Sequence, residues 1–253
     1  MREDLVEIGQ LALDDETATR RLLDAIRSGR DYEAPFKDPE PLVSICIPTY
    51  TNHTGLVEKA IPSALAQEYP NIEVVVVGDT APPETAAAIE ALGEPRVRYE
   101  NLAVRGPYPE DPRRRWLVAG TPPLNRSMQL ARGGWIVILN DDDTLRPDHA
   151  ATLVAAAQAG RDEIVYGAFE QHAPDGTREV IGGFPPETHR FGWQCAVQHR
   201  DIARLFRYEL AAALFDEPGD WHRARRMLRA GVRFAMVDEV VFDYFPRSLW
   251  GGR

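Results

Sequence analysis

Apolar residues along this chain alternate between short strand-like runs and stretches of helical spacing. Residues 3–29 predict helix, with Leu5, Ile8 and Leu11 and then Leu22, Leu23 and Ile26 on one face; Asp14 and Asp15 divide it in two and Gly29 stops it. Residues 30–41, RDYEAPFKDPEP, are rich in proline and charge and predict a linker wrapping the domain. From Leu42 the pattern becomes strand, helix, strand. Residues 43–47 predict a strand ending at Pro48, Thr49 and Tyr50, and 54–68 a helix kinked at Pro62. Residues 72–77 predict a second strand ending at Gly78 and Asp79, 83–92 an alanine-rich helix and 97–99 a short third strand.

Residues 103–122 predict a long irregular segment carrying Arg113, Arg114 and Arg115: either an exposed mobile loop or a flap whose arginines meet phosphate. A helix follows at 123–132. Gly133 and Gly134 then break the chain, and Trp135 to Leu139 form an apolar run that predicts a buried strand. Further on come a helix at 148–159, a strand at 164–169, a hairpin at 170–181 turning at Asp175 and Gly176, a helix at 220–229 and a strand at 234–244. Strands alternating with helices imply a parallel sheet with right-handed crossovers, which binds ligands at the carboxyl ends of its strands. Tyr50, Asp79 and the acidic run Asp141, Asp142, Asp143 all fall at such ends.

That acidic run follows the buried strand directly, after Asn140, and Pro147 opens the next helix with Asp148 in its first turn. Three carboxylates at a strand end repel one another unless solvated or matched by a cation. Hard oxygen ligands suit Mg²⁺ or Mn²⁺ held together with substrate phosphates; a solvated acidic turn is the other reading. A net charge of −10 argues against a general nucleic-acid binder. No apolar run approaches the ~20 residues of a membrane span, and the acidic N-terminus has no signal-peptide core, so a cytoplasmic location is expected. Cys46 and Cys195 lie far apart in apolar runs, as buried free thiols would.

Three blocks, PLVSICIPTY, NIEVVVVGDTAPPET and LNRSMQLARGGWIVILNDDDTLRPD, together resemble the nucleotide-binding half of glycosyltransferase family 2. The likeness is good over 41–150 and traceable to about 245. It implies an α/β fold of GT-A type: a Rossmann-like mixed, mainly parallel sheet flanked by helices. Expected units are an N-terminal helical arm and linker, 1–40, and a catalytic domain, 41–253, with a nucleotide-binding half to about 150 and an acceptor half beyond. The arm could cap the core or pair with another chain as a homo-oligomer.

The resemblance further implies inverting transfer of a sugar from a nucleotide-sugar, usually a UDP-sugar, with Mn²⁺ or Mg²⁺. Tyr50, flanked by Pro48 and Thr49, would lie along the base and Asp79 would bond it. Counting back from Pro147, the metal ligand falls on Asp142 and the ribose contact on Asp141, with Asp143 in reserve through a shifted register. The family's catalytic base matches Asp220 in EPGDWHRARRML; a helix N-cap is the rival role for this residue, and Glu217 is the next candidate base. The Gln-x-x-Arg-Trp signature of processive synthases is absent, so a single transfer is expected. No histidine follows His222, and Arg247 would take over at the diphosphate. Polysaccharide, lipid-linked sugar and small natural product all remain open as acceptors. A nucleotidyltransferase is the competing enzyme class, disfavoured because YTNHTG offers only Gly55 after the first strand; a non-catalytic nucleotide-sugar-binding protein of the same fold is the third reading. Since every motif starts after Leu42, a truncation at Glu40 is expected to spare the chemistry.

Overall fold

The computed structural model describes residues 16–245. The first fifteen residues and Arg247 lie outside that range. One nine-stranded mixed sheet organises the chain, in the order β3-β2-β1-β4-β8-β6-β9-β5, with β7 paired to β6. Its strands are β1 Val43–Thr49, β2 Ile72–Gly78, β3 Val97–Asn101, β4 Trp135–Ile138, β5 Thr144–Leu145, β6 Ile164–His172, β7 Arg178–Ile181, β8 Ala196–His199 and β9 Phe234–Tyr244. β1, β2 and β4 are buried along their whole length, which is why they read as continuous apolar runs. β1 to β4 pair in parallel. β8 is antiparallel to both β4 and β6, and β9 is parallel to β6. Six strands therefore point the same way, and their carboxyl ends meet along one edge.

The helices depart from expectation in three places. The predicted kink near Pro62 is a widened π-helical turn, Leu56–Ala60, between α-helical turns His53–Gly55 and Ile61–Leu65. A proline supplies no N–H to the turn before it, and the ladder loosens there. The segment 103–122 is not irregular throughout. Pro112–Leu117 is a helix capped by Asp111, whose carboxylate accepts from the Arg114 N–H at 2.8 Å. Asp–Pro at a helix start was the signal for it. The helix after the acidic run begins at His149, with Asp148 at its N-cap position, because the chain first forms β5.

Nor is 30–41 a linker. Residues 16–27 are helical, and Ala34–Lys37 forms a helical turn. Leu23, Tyr32 and Phe36 belong to the main core, at 1, 4 and 8 % exposure. Phe36 meets Trp135 edge-on at 5.3 Å, and Trp135 Nε1 donates to the Pro35 carbonyl. Beneath them the Glu163 carboxylate is fully buried. Both its oxygens accept from Arg27 at 2.8 Å, and the Tyr32 hydroxyl donates to it at 2.6 Å. Burial pushes its pKa up, but these donors and Arg233 outweigh that and hold it below the usual carboxylate range. The described part of the arm thus covers the amino-terminal end of β4, away from the acidic motif.

The consequence for the Glu40 truncation is specific. The acidic motif stays, but Glu163 loses Arg27 and Tyr32, and stripping a buried charge of its partners costs roughly 3–5 kcal/mol. The truncated chain should unfold far below the full-length protein in a thermal melt. A truncation melting within a few degrees of the parent would contradict this.

Candidate active site

The strand ends surround a cleft of about 1010 Å³. Pro48, Thr49, Tyr50, Asp79, Asn140, Asp141, Asp142, Asp143 and Asp220 all line it, so the leading candidates from sequence reach one cavity. Asp141 is fixed from β1. Thr49 Oγ1 donates to its carboxylate at 2.8 Å, and Asn52 Nδ2 donates to its other carboxylate oxygen at 3.2 Å and its carbonyl at 3.1 Å. This close packing explains Gly55, because a Cβ there would stand 2.7 Å from the Asp141 carbonyl oxygen. Asp143 is buried and accepts from the Asn140 amide at 2.8 Å. Asp142 is half-buried between them. Tyr244 at the end of β9 faces this run: burial first, then Asp143 and Asp142, raise the pKa of its hydroxyl.

Asp79 follows β2, its N–H bound to the Thr49 carbonyl at 2.8 Å and its carboxylate accepting from the Gly106 N–H at 3.1 Å. Tyr50 is 38 % exposed, and the Arg105 guanidinium lies over its ring, 3.9 Å from the centroid. Arg105 also donates to the Tyr50 hydroxyl at 3.0 Å and stands 3.8 Å from Asp79. Tyr108 completes this corner, its pKa pushed up by burial and then by Asp79. Arg105, Gly106, Tyr108 and Asn52 escaped the sequence reading. The arginine run is divided instead: Arg113 pairs with Asp216 at 2.8 Å, Arg114 is exposed, and Arg115 lines the cleft.

Asp220, also on the cleft wall, lies in the first turn of the helix Gly219–Ala230. The N-cap position is held by Pro218, without a side-chain hydrogen bond, so Asp220 is not the cap. Burial raises its pKa, and the Tyr208 hydroxyl and Arg223 pull against that rise. Arg223 is fully buried, with its guanidinium 4.2 Å from the Trp193 ring centroid and 4.9 Å from that of Tyr208. Trp193 Nε1 donates to the Asp220 carbonyl at 3.0 Å, which fixes the backbone there. Glu217 does not line the cleft; it is held by Arg225 at 2.7 Å and His222 at 2.9 Å. Cys195, at the cleft wall, is a buried free thiol with its pKa pushed up to about 12 by burial, as is Cys46 in β1.

The family model described as Glycosyl transferase family 2 matches residues 44–108 and 121–224. Among curated proteins, the succinoglycan biosynthesis protein ExoO of Rhizobium meliloti is 35 % identical over 143 residues, 56 % of this chain and 37 % of that protein. The GalNAc(5)-diNAcBac-PP-undecaprenol β-1,3-glucosyltransferase of Campylobacter jejuni is 27 % identical over 122 residues, 47 % of this chain and 36 % of that one. The chain thus spans well under half the length of these relatives. Among solved structures, the mannosyltransferase PcManGT of Pyrobaculum calidifontis, in complex with GDP-Man and Mn²⁺, superposes with TM-score 0.62 at 18 % identity, covering 95 % of this chain and 68 % of that one. S. aureus TarS 1–349 in complex with UDP-GlcNAc gives 0.61 at 14 % identity, covering 81 % and 59 %. The shared architecture is the GT-A fold.

Proposed function

The chain belongs to glycosyl transferase family 2, and on that premise we propose that it moves one sugar from a nucleotide-sugar, a UDP-sugar first among them, to an acceptor hydroxyl with inversion. The observation that carries this is that Asp220 and the Asp141–Asp143 run line one cleft together with Tyr50 and Asp79. Three hard carboxylates at one strand end suit Mn²⁺ or Mg²⁺ beside a diphosphate, with Asp142 the proposed ligand and Asp143 its neighbour. A bound ion would offset charge on the leaving diphosphate. Thr49 and Asn52 orient Asp141 toward the ribose; Asp79 accepts from the base and Tyr50 covers its face beside Pro48. Asp220 takes the proton of the attacking acceptor hydroxyl. The tyrosine and guanidinium behind it favour the ionised form that a base requires.

The acceptor half supplies aromatic wall: Phe169, Phe191, Trp221, Phe242 and Tyr244. Such rings suit the apolar faces of a sugar. Because one relative is named for a polyprenyl-diphosphate-linked substrate, a lipid-linked sugar leads the acceptor classes. No helix among the described residues is long and apolar enough to cross a membrane. Release of UDP from UDP-sugars in the presence of Mn²⁺ tests the activity; no release from any nucleotide-sugar would refute it.

The base pocket gives a separate prediction. Uracil and thymine present an imide N–H that a carboxylate accepts, whereas adenine offers none. Calorimetric titration with Mn²⁺ should show UDP or dTDP binding more tightly than ADP or GDP. GDP is the demanding comparison, since it has an N–H of its own and PcManGT carries GDP-Man. Equal affinities for all four would mean that Asp79 does not read the base.

A further inference from the structure

One surface beside the cleft plays no part in the chemistry above. The helix Pro112–Leu117 and the short helix Leu210–Phe215 pack together through a small core of their own, Val118, Ala212 and Ala213. What they leave outside is unusual for a surface: Trp116 is 59 % exposed, Leu214 77 % and Phe215 65 %. Arg113 and Trp116, three apart on one helix face, are tied to the other helix by the Arg113–Asp216 ion pair, directly after Phe215. The two helices that carry these apolar side chains are therefore held side by side, with the Phe215 ring stacked on His222 at 5.6 Å. The guanidiniums of Arg114 and Arg115 make no ion pair with a carboxylate among the described residues; that of Arg115 donates to the Pro109 and Glu110 carbonyls.

Exposed tryptophan, leucine and phenylalanine interleaved with arginine is the composition of a surface that enters the headgroup layer of a bilayer. The rings go to the acyl boundary, and the guanidiniums stay at phosphate level. In a chain of net charge −10, Arg113 to Arg115 are three consecutive cations; Asp216 takes up Arg113 and Asp111 caps the helix, which leaves the guanidiniums of Arg114 and Arg115 for phosphate. The surface also runs into the site, since Arg115 and Trp116 line the cleft as Asp220 does. We propose that the face formed by Trp116, Leu214, Phe215 and the neighbouring arginines docks on a phospholipid surface and brings the cleft to an acceptor anchored there. The anchored acceptor rests on the transfer reading above; the docking does not.

Vesicle flotation separates the two. Phosphatidylethanolamine–phosphatidylglycerol vesicles, with no donor present, should carry the wild-type chain. Leu214→Ser with Phe215→Ser should cut the bound fraction by about tenfold or more, as removal of two inserting side chains implies. Neither residue lines the cleft, so UDP release from UDP-sugar should be unchanged. Should the double variant misfold, Arg114→Glu alone is expected to weaken binding severalfold. Absence of flotation by the wild-type chain would overturn the proposal. So would a concentration-dependent dimer, dissolved by the same two substitutions, in a chain that ignores vesicles. A chain that floats but releases no UDP keeps the docking and refutes the transfer.

Discussion

Asp220→Asn should lower sugar transfer by about 10²–10⁴ while leaving the melting temperature and UDP binding near normal. A positioned general base contributes a factor of that order. Asparagine keeps the volume and polarity of the residue but has no carboxylate to accept the proton. A purely structural role would give the opposite pattern, lost stability with turnover retained. The capping alternative is already weak, because Pro218 holds the cap position. The pH profile adds a second readout. Burial raises the pKa of Asp220 above the ordinary carboxylate range. The base is active only when ionised, so kcat/KM should fall as pH drops through that raised value and level off above it. The limb should vanish in Asp220→Asn. Near wild-type transfer by this variant would place the base elsewhere, and not at Glu217, which Arg225 and His222 hold outside the cleft.

Asp142→Ala should remove transfer by a factor of similar size or larger. Charge stabilisation of a leaving diphosphate by a metal is worth several kcal/mol, and each 1.36 kcal/mol is tenfold in rate. Without the ion, the Asp141–Asp143 run repels the diphosphate it should receive. The loss should therefore extend to nucleotide affinity, and EDTA should reproduce it in the wild-type chain. Asp143→Ala would confound the comparison, because Asp143 is buried on the Asn140 amide and its removal strips a partner from the turn. Asp141→Ala similarly strands Thr49 and Asn52. Full turnover in excess EDTA, or by Asp142→Ala, would refute a metal role for this residue.

What could be read in advance follows the physics of burial. β1, β2 and β4 are covered on both faces, so solvent imposes no alternation and the runs stand out. β8 did not, because it is four residues long and half of them are the buried polar residues Gln198 and His199. Tyr32 and Phe36 looked like linker because the proline and charge around them hide two core positions. Tyr50, Asp79 and the acidic run could be placed in one cleft because they follow strand ends, whereas Asp220, in the first turn of a helix, was picked out by the resemblance alone. Arg105 was not: its place over Tyr50 is set by a loop crossing from β3 to β1's end, and no local pattern encodes that.

The pairing of β5 with β9 reaches beyond the site itself. The acidic motif lies mid-chain, yet its downstream end is held by Thr144 opposite Asp243, Leu145 opposite Phe242 and the Arg146 guanidinium on Asp243, 97 residues later. At a synthesis rate of ~5–20 residues per second, roughly 5–20 s separate the two halves of that clasp on the ribosome. During that interval β1 to β4 can assemble and Thr49 and Asn52 can hold Asp141, while β5 still lacks its partner strand. Contacts this distant in sequence also form late when a whole chain refolds. The downstream clasp of the acidic turn therefore closes only once β9 has been made.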